Sequence, residues 1–302
     1  MSSRLLLRSD FLLSNFVLLR DALTSAGSRL TTAGVPSPRM NAELLLMFTL
    51  NCDRAYLYAH PERQLGDDEE SRYDQALEQR TRGIPAQYIT GHQEFWGMDF
   101  IVSPAVLIPR PETEHVIETV LPLARALTNL QIADVGTGSG CIALALAKEL
   151  RQAEIHATDI SADALEIARA NAARHQLESR VHFHQGDLLQ GLGQDRFDFV
   201  VSNPPYVGES EEDQVQLEVR KYEPRYAVFA GPTGLEVIQR LIPQAHGTLK
   251  PTGWLVIEIS GTIVAGVREL LKGWSEVHIT NDLQQIPRVA SAQKALGNAR
   301  PQ

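Results

Sequence analysis

From residue 12 to about residue 79, apolar side chains recur at three- and four-residue spacing, as at Leu19 and Leu23 or at Leu44, Leu45 and Phe48. That period lines one face of a helix. Breaks at Gly34-Val35-Pro36-Ser37-Pro38 and His60-Pro61 divide the run, so it predicts a small helical domain. Between residues 87 and 108 the texture changes to aromatic and β-branched residues around Gly91 and Gly97, as expected of two short strands joined by a turn. Beyond Pro111, short apolar runs at 132–135, 155–158, 181–184, 197–201 and 254–259 read as strands. Amphipathic stretches at 141–150, 162–175 and 235–249 read as helices between them.

Strands alternating with helices imply right-handed crossovers, so the fold class is α/β: a doubly wound, mostly parallel sheet covered on both faces, Rossmann-like in plan. The predicted organisation is a helical domain over 1–84, a β-hairpin connector over 85–108 and a catalytic domain over 109–302. Ligands of such sheets bind outside the carboxyl ends of the strands, and every motif below falls at one of those ends.

A hydrophobic fraction of 43% and a charged fraction of 22% are ordinary for a soluble chain, and no apolar run approaches the ~20 residues of a bilayer crossing. The net charge of −9 argues against a protein whose main task is gripping a polyanion, so no stable nucleic-acid binding is expected. Cys52 and Cys141 are too few for a disulfide framework and lie in segments that read as helical, which fits a reducing cytoplasm. Arg4, Arg8 and Arg20 give the first twenty residues something of a transit peptide, but Asp10 and Asp21 favour an ordinary first helix.

Asp134-Val135-Gly136-Thr137-Gly138-Ser139-Gly140 follows the first strand of the sheet and opens a helix, so its glycines allow a tight turn and close approach of a ligand to backbone N–H groups. The spacing is G-x-G-x-G, not the G-x-G-x-x-G of dinucleotide sites. Asp134 would oppose a pyrophosphate but suit a sulfonium cation, which points to S-adenosylmethionine. Asp159 ends the next strand, about 20 residues on, where an acid takes ribose hydroxyls; its other reading is a helix cap, a task Ser161 already fills. Asp187, within Gly186-Asp187-Leu188, is placed to accept the exocyclic amine of adenine with Leu188 against the ring, although a plain loop acid fits Asp187 nearly as well.

The fourth strand runs into Asn203-Pro204-Pro205-Tyr206. Two prolines remove two N–H donors and fix φ, freeing local carbonyls from ladder bonding. The side-chain oxygen of Asn203 and the carbonyl of Pro204 can then accept both N–H bonds of an amide or amino nitrogen, while Tyr206 offers a flat surface to a planar substrate. Among nine histidines only His182 and His184 share a strand face; with no Cys or further His beside them, a solvated face and no metal are expected.

With these motifs in place the chain resembles the PrmC/HemK family of peptide chain release factor glutamine methyltransferases. The likeness runs through Ala42-Glu43-Leu44-Leu45, Gln87-Tyr88-Ile89, Glu94-Phe95-Trp96-Gly97 and Val106-Leu107-Ile108-Pro109-Arg110-Pro111-Glu112-Thr113-Glu114. It implies methylation at N5 of the glutamine in the Gly-Gly-Gln motif of class 1 release factors, with S-adenosylhomocysteine as by-product and the helical domain helping to dock that protein. By the family's pattern Gly136, Thr137, Gly138, Ser139, Gly140, Asp159, Leu188 and Asn203 contact the cofactor. Asn203, Pro204, Pro205 and Tyr206 hold the glutamine. Ser260, where a glycine is expected, and Leu188, in an often aromatic position, depart from the pattern. The chain is expected to act as a cytoplasmic monomer, away from membranes. The rival readings are an adenine N6 or cytosine N4 methyltransferase, which meets the same two-donor geometry, a catalytically silent cofactor-binding module, and a dehydrogenase.

Overall fold

The computed structural model describes residues 17–194 and 196–296, which fall in two compact units divided between Thr90 and Gly91. The expectation for the first twenty residues lies largely outside the described residues.

The first unit is helical: α1 (Leu19–Thr32), α2 (Pro38–Leu50), α3 (Arg54–Ala59), α4 (Asp67–Thr81) and α5 (Ala86–Thr90). Leu19, Ala22, Ala26 and Leu30 form the buried stripe of α1 and pack with Leu45 and Leu46 of α2 and Tyr73 and Leu77 of α4. The acids Asp67, Asp68, Glu69 and Glu70 open α4, where they complement the helix dipole, and the Gly66 N–H donates to Glu69 Oε2 at 3.0 Å. Strand texture was expected from residue 87, but 86–90 is α5. Pro85 opens that turn, and its carbonyl accepts the N–H groups of Tyr88 and Ile89 at 3.0 and 3.2 Å. Cys52 stands just beyond the end of α2, and Cys141 begins a helix; both are free.

The second unit starts with a hairpin, β1 (His92–Phe95) and β2 (Met98–Ile101). Its Phe95, Met98 and Phe100 are buried in the core of this unit, and Asn171 clasps Ile101 through both backbone groups, at 2.7 and 3.0 Å. There follow α6 (Glu114–Ala124), β3 (Gln131–Val135), α7 (Cys141–Glu149), β4 (Glu154–Asp159), α8 (Ala162–Arg174), β5 (Val181–Gln185) and β6 (Phe197–Ser202). A short excursion holds β7 (Val207–Gly208), α9 (Leu217–Tyr222), α10 (Arg225–Val228) and β8 (Phe229–Gly231). The chain then forms α11 (Glu236–Thr248), β9 (Leu249–Glu258), α12 (Val264–Leu270), β10 (Ser275–Asn281) and β11 (Pro287–Gln293).

The main sheet has seven strands in the order β10-β11-β9-β6-β3-β4-β5. Strands β9, β6, β3, β4 and β5 are parallel, and β11 and β10 add on antiparallel. Alternation sorts the core into two layers. Ile132, Phe199, Val201 and Val256 meet α6 and α7 on one face, while Ala133, Val200, Leu255 and Ile257 meet α11 and α12 on the other. The doubly wound sheet is therefore as expected. The β10/β11 hairpin was not foreseen, because β11 is built of small residues and β10 is a mostly exposed edge, so neither presents an apolar run.

Sequence order turns back between β3 and β6: β4 and β5 lie to one side of β3, β6 and β9 to the other. A crevice is expected at the carboxyl ends of this pair. On the other flank, β4 pairs with β5 so that His156 stands opposite His182, and His156 Nδ1 is 3.0 Å from His184 Nε2. The histidine pair of β5 thus has a third histidine beside it, and the ground for reading a plain solvated face does not hold. Among the described residues no helix is long and apolar enough to cross a membrane.

Candidate active site

At the carboxyl ends of β3, β4 and β6 lies a cavity of about 320 Å³, within the range of small-molecule sites. Gly136, Thr137, Gly138, Ser139, Asp159, Asp187, Leu188, Asn203 and Pro205 line it. Gly140, Pro204 and Tyr206 do not.

The glycine turn is forced by backbone geometry. Gly138 and Gly140 sit at φ +56° and +83°, and a Cβ on Gly140 would come within 3.3 Å of the Ala168 side chain on α8. Asp159 reaches across from β4: its Oδ2 accepts the Gly138 N–H at 2.9 Å and its Oδ1 accepts the Ser161 N–H at 2.9 Å. Ser161 itself caps α8 by accepting the Ala164 N–H at 3.2 Å. Burial raises the Asp159 pKa, and the backbone N–H groups of Ser161 and Gly138 oppose that rise. The same carboxylate therefore shapes the turn and lines the cavity.

Asp134 has a different place from the one expected. It is fully buried and does not line the cavity. Its Oδ2 accepts the Thr137 hydroxyl at 2.6 Å and the Ala143 N–H at 3.2 Å, bracing the turn against the first turn of α7. Burial pushes its pKa up to about 7. Its charge is aimed at the turn, so it does not serve as a direct counter-ion to a cofactor.

On the rim Asp187 is ion-paired with Arg240 of α11, and Leu188 is held at φ +55°, a region that costs a non-glycine residue about 1 kcal/mol or more. Arg110, the other arginine lining the cavity, is ion-paired with buried Glu223, which also accepts the Ile108 N–H at 3.1 Å. Both lining guanidiniums are thus committed to carboxylates.

The reacting side begins where Ser202 ties the end of β6 to β3, its hydroxyl donating to the Val135 carbonyl at 2.7 Å. Asn203 then projects its amide, and Nδ2 donates to the Thr113 hydroxyl at 3.0 Å. Tyr206 turns away from the cavity. Its hydroxyl donates to Glu258 Oε1 at 2.9 Å and its ring packs on the core layer of α11 and β9. Glu258 ends β9 almost wholly buried; burial raises its pKa, while the hydroxyls of Thr113 and Tyr206 hold it down.

The Thr113 hydroxyl accepts from Asn203 Nδ2, while Glu258 Oε2 stands buried with no hydrogen-bond partner among the described residues. Asn203 Oδ1 remains as the free acceptor. The residues missed from the sequence are accordingly Thr113, Glu223, Arg240 and Glu258. Thr113 and Arg110 were in view only as part of a motif, and Glu258 had one signal, an acid closing the most apolar strand. Glu114 also has a task, accepting the Trp96 N–H of the hairpin turn at 2.8 Å.

Residues 21–91 match the model of the PrmC N-terminal domain, and residues 116–220 that of the methyltransferase small domain. Sheet order, glycine turn and strand-end acid together with the second match define an S-adenosylmethionine-dependent methyltransferase. The chain is 55% identical over 277 residues to a release factor glutamine methyltransferase of Koribacter versatilis, covering 91% of this chain and 98% of that protein. It is 44% identical over 254 residues to one of Moorella thermoacetica, covering 84% and 89%. It belongs to the release factor glutamine methyltransferase family. Among solved structures, the human Mettl16 catalytic domain in complex with a MAT2A 3′UTR hairpin superposes with a TM-score of 0.55 at 18% identity, over 80% of this chain and 86% of that one; this likeness shows the fold alone.

Proposed function

We propose that this chain methylates N5 of the glutamine in the Gly-Gly-Gln motif of class 1 release factors, with S-adenosylmethionine as methyl donor and S-adenosylhomocysteine as by-product. The observation that carries the reading is the orientation of Asn203: Thr113 occupies its N–H, which leaves Oδ1 as an acceptor beside the cavity.

The cavity fits that cofactor. Its two arginines are each paired with a carboxylate, so no free cation awaits a pyrophosphate, and Asp159 stands where ribose hydroxyls would be held. Gly136 to Gly140 shape the turn against the ligand, Asp187 and Leu188 border the adenine, and Asn203 closes the methionine end. When bound, the cofactor supplies a methyl group on a sulfonium centre, ready for in-line transfer.

An amide nitrogen is a weak nucleophile because its lone pair is delocalised. Asn203 Oδ1 and the Pro204 carbonyl accept its two N–H bonds, draw charge onto the nitrogen and hold its open face toward the methyl group, a grip that strengthens as the nitrogen becomes positive. Pro205 borders the glutamine. Tyr206, anchored on Glu258, braces the loop in place of serving as a stacking platform. We further propose that the helical unit, which matches the PrmC N-terminal domain, docks the release factor and that the protein works as a cytoplasmic monomer.

Incubating the purified chain with methyl-labelled S-adenosylmethionine, a release factor and duplex DNA in parallel tests the reading. Label is expected on the release factor and is lost when the Gly-Gly-Gln glutamine is replaced. Equal labelling of DNA, or label surviving that replacement, overturns it.

A further inference from the structure

Far from the cavity, at the amino-terminal half of the β4/β5 pair, three ligating side chains converge. Glu154 and His156 share one face of β4, and His182 stands in register beside His156 on β5. Glu154 Oε1 lies 2.9 Å from His182 Nε2 and 3.7 Å from His156 Nε2, and one ligand atom from each of the three residues lies within 4.8 Å of the others. Zinc bonds of about 2.0–2.1 Å in a tetrahedron place neighbouring ligand atoms roughly 3.3 Å apart, between the two separations from Glu154 Oε1. None of the three residues lines the cavity described above.

We propose that Glu154, His156 and His182 form a binding site for a divalent transition-metal ion of the zinc class, pinning the edge strand β5 to β4. Two imidazoles and a carboxylate select borderline cations over magnesium or calcium, which prefer all-oxygen sites.

The surrounding groups orient the ligands as a metal site requires. Gln131 Nε2 donates to Glu154 Oε2 at 2.7 Å, which leaves Oε1 for the histidines. Arg196 Nη2 lies 2.8 Å from His156 Nε2, and an arginine only donates, so that nitrogen carries a lone pair. His156 Nδ1 therefore holds the proton and donates it to His184 Nε2 at 3.0 Å. A second partner on the far ring nitrogen, fixing tautomer and ring plane, is the usual support of a ligating histidine. His156 is buried within the sheet, so its ring has little freedom to leave this arrangement. Arg196 is itself exposed, with its guanidinium 5.4 Å from the Phe197 ring, so a cation already stands at the lone pair on a side chain free to swing aside.

Titration calorimetry of the tag-free full chain with zinc chloride, alongside thermal melting, tests the site. One saturable zinc per chain is expected, with zinc raising the melting temperature. His182→Ala and Glu154→Gln, both at partly exposed positions, should weaken binding by about tenfold or more and abolish the melting shift, while zinc-free methyl transfer stays at the wild-type rate. Arg196→Ala should bind zinc more tightly. Absence of saturable binding by the wild-type chain, equal binding by His182→Ala, or unchanged or weaker binding by Arg196→Ala overturns the proposal.

Discussion

The two sides of the cavity are built by different means. On the cofactor side the shaping groups come from one contiguous turn, residues 136–140, and from the ends of the two strands beside it; Asp159 reaches Gly138 directly. On the proposed reacting side the acceptor is the Asn203 oxygen, and what aims it is the Thr113 hydroxyl, which comes from the turn before α6, far away along the chain. A ligand that must only be bound can be held by local backbone geometry. A nitrogen that must be activated needs an acceptor whose orientation is settled by distant parts of the fold. If that contrast holds, damage on the two sides should appear in different kinetic constants.

The largest separation is expected for Asn203→Ala. Removing a preorganised polar group whose interaction grows in the transition state costs about 10²–10³ in kcat, and cofactor affinity should change far less. Steady-state kinetics with a release factor, paired with calorimetric titration of the cofactor, read both. Matched losses in kcat and affinity would move Asn203 into the cofactor site and dissolve the contrast.

Asp159→Asn probes the opposite side. A hydrogen bond from a ligand hydroxyl to a charged acceptor is worth about 1.5–3 kcal/mol, or roughly 10- to 150-fold in affinity. The cofactor dissociation constant should rise by that order while kcat at saturation stays near wild type. A fall in kcat with unchanged affinity would show that the glycine turn held by this carboxylate governs chemistry as well.

The aiming contact is tested by Thr113→Val, which keeps shape but removes the hydroxyl that accepts from Asn203 Nδ2. Freed to flip, the Asn203 amide presents its oxygen only part of the time, and kcat should fall by about tenfold with cofactor binding intact. A wild-type kcat in this variant would mean that Asn203 is aimed by its own backbone alone.

How much could be read from the chain follows the same division. The parallel strands, the glycine turn, Asp159 and the Asn203 loop were legible because each is a contiguous run whose period or residue types state its geometry. The contact of Thr113 with Asn203 was not, since its members are joined only by tertiary packing, and Tyr206 was read as a platform because nothing local reveals the buried carboxylate that claims its hydroxyl. The β10/β11 hairpin escaped for want of an apolar run, and His156 because the β4/β5 register that sets it beside His182 is not a property of either strand alone.

Asp134 blurs the contrast, because a buried carboxylate on the cofactor side acts on stability and not on the ligand. Its folded pKa of about 7 stands above the ordinary 3.8, so between those values the folded state holds more protons than the unfolded one. Stability must then fall as pH rises through that window, by at most about 1.4 kcal/mol per pH unit from this group. Asn at this position keeps an oxygen to accept from Thr137 and Ala143 but does not ionise. Denaturant melts of Asp134→Asn from pH 5 to 8 should accordingly lose this downward slope while wild type retains it, with cofactor affinity near neutral pH little changed. Parallel pH profiles for the two proteins would instead mean that Asp134 is ionised throughout, with the helix start and the Thr137 hydroxyl stabilising its charge.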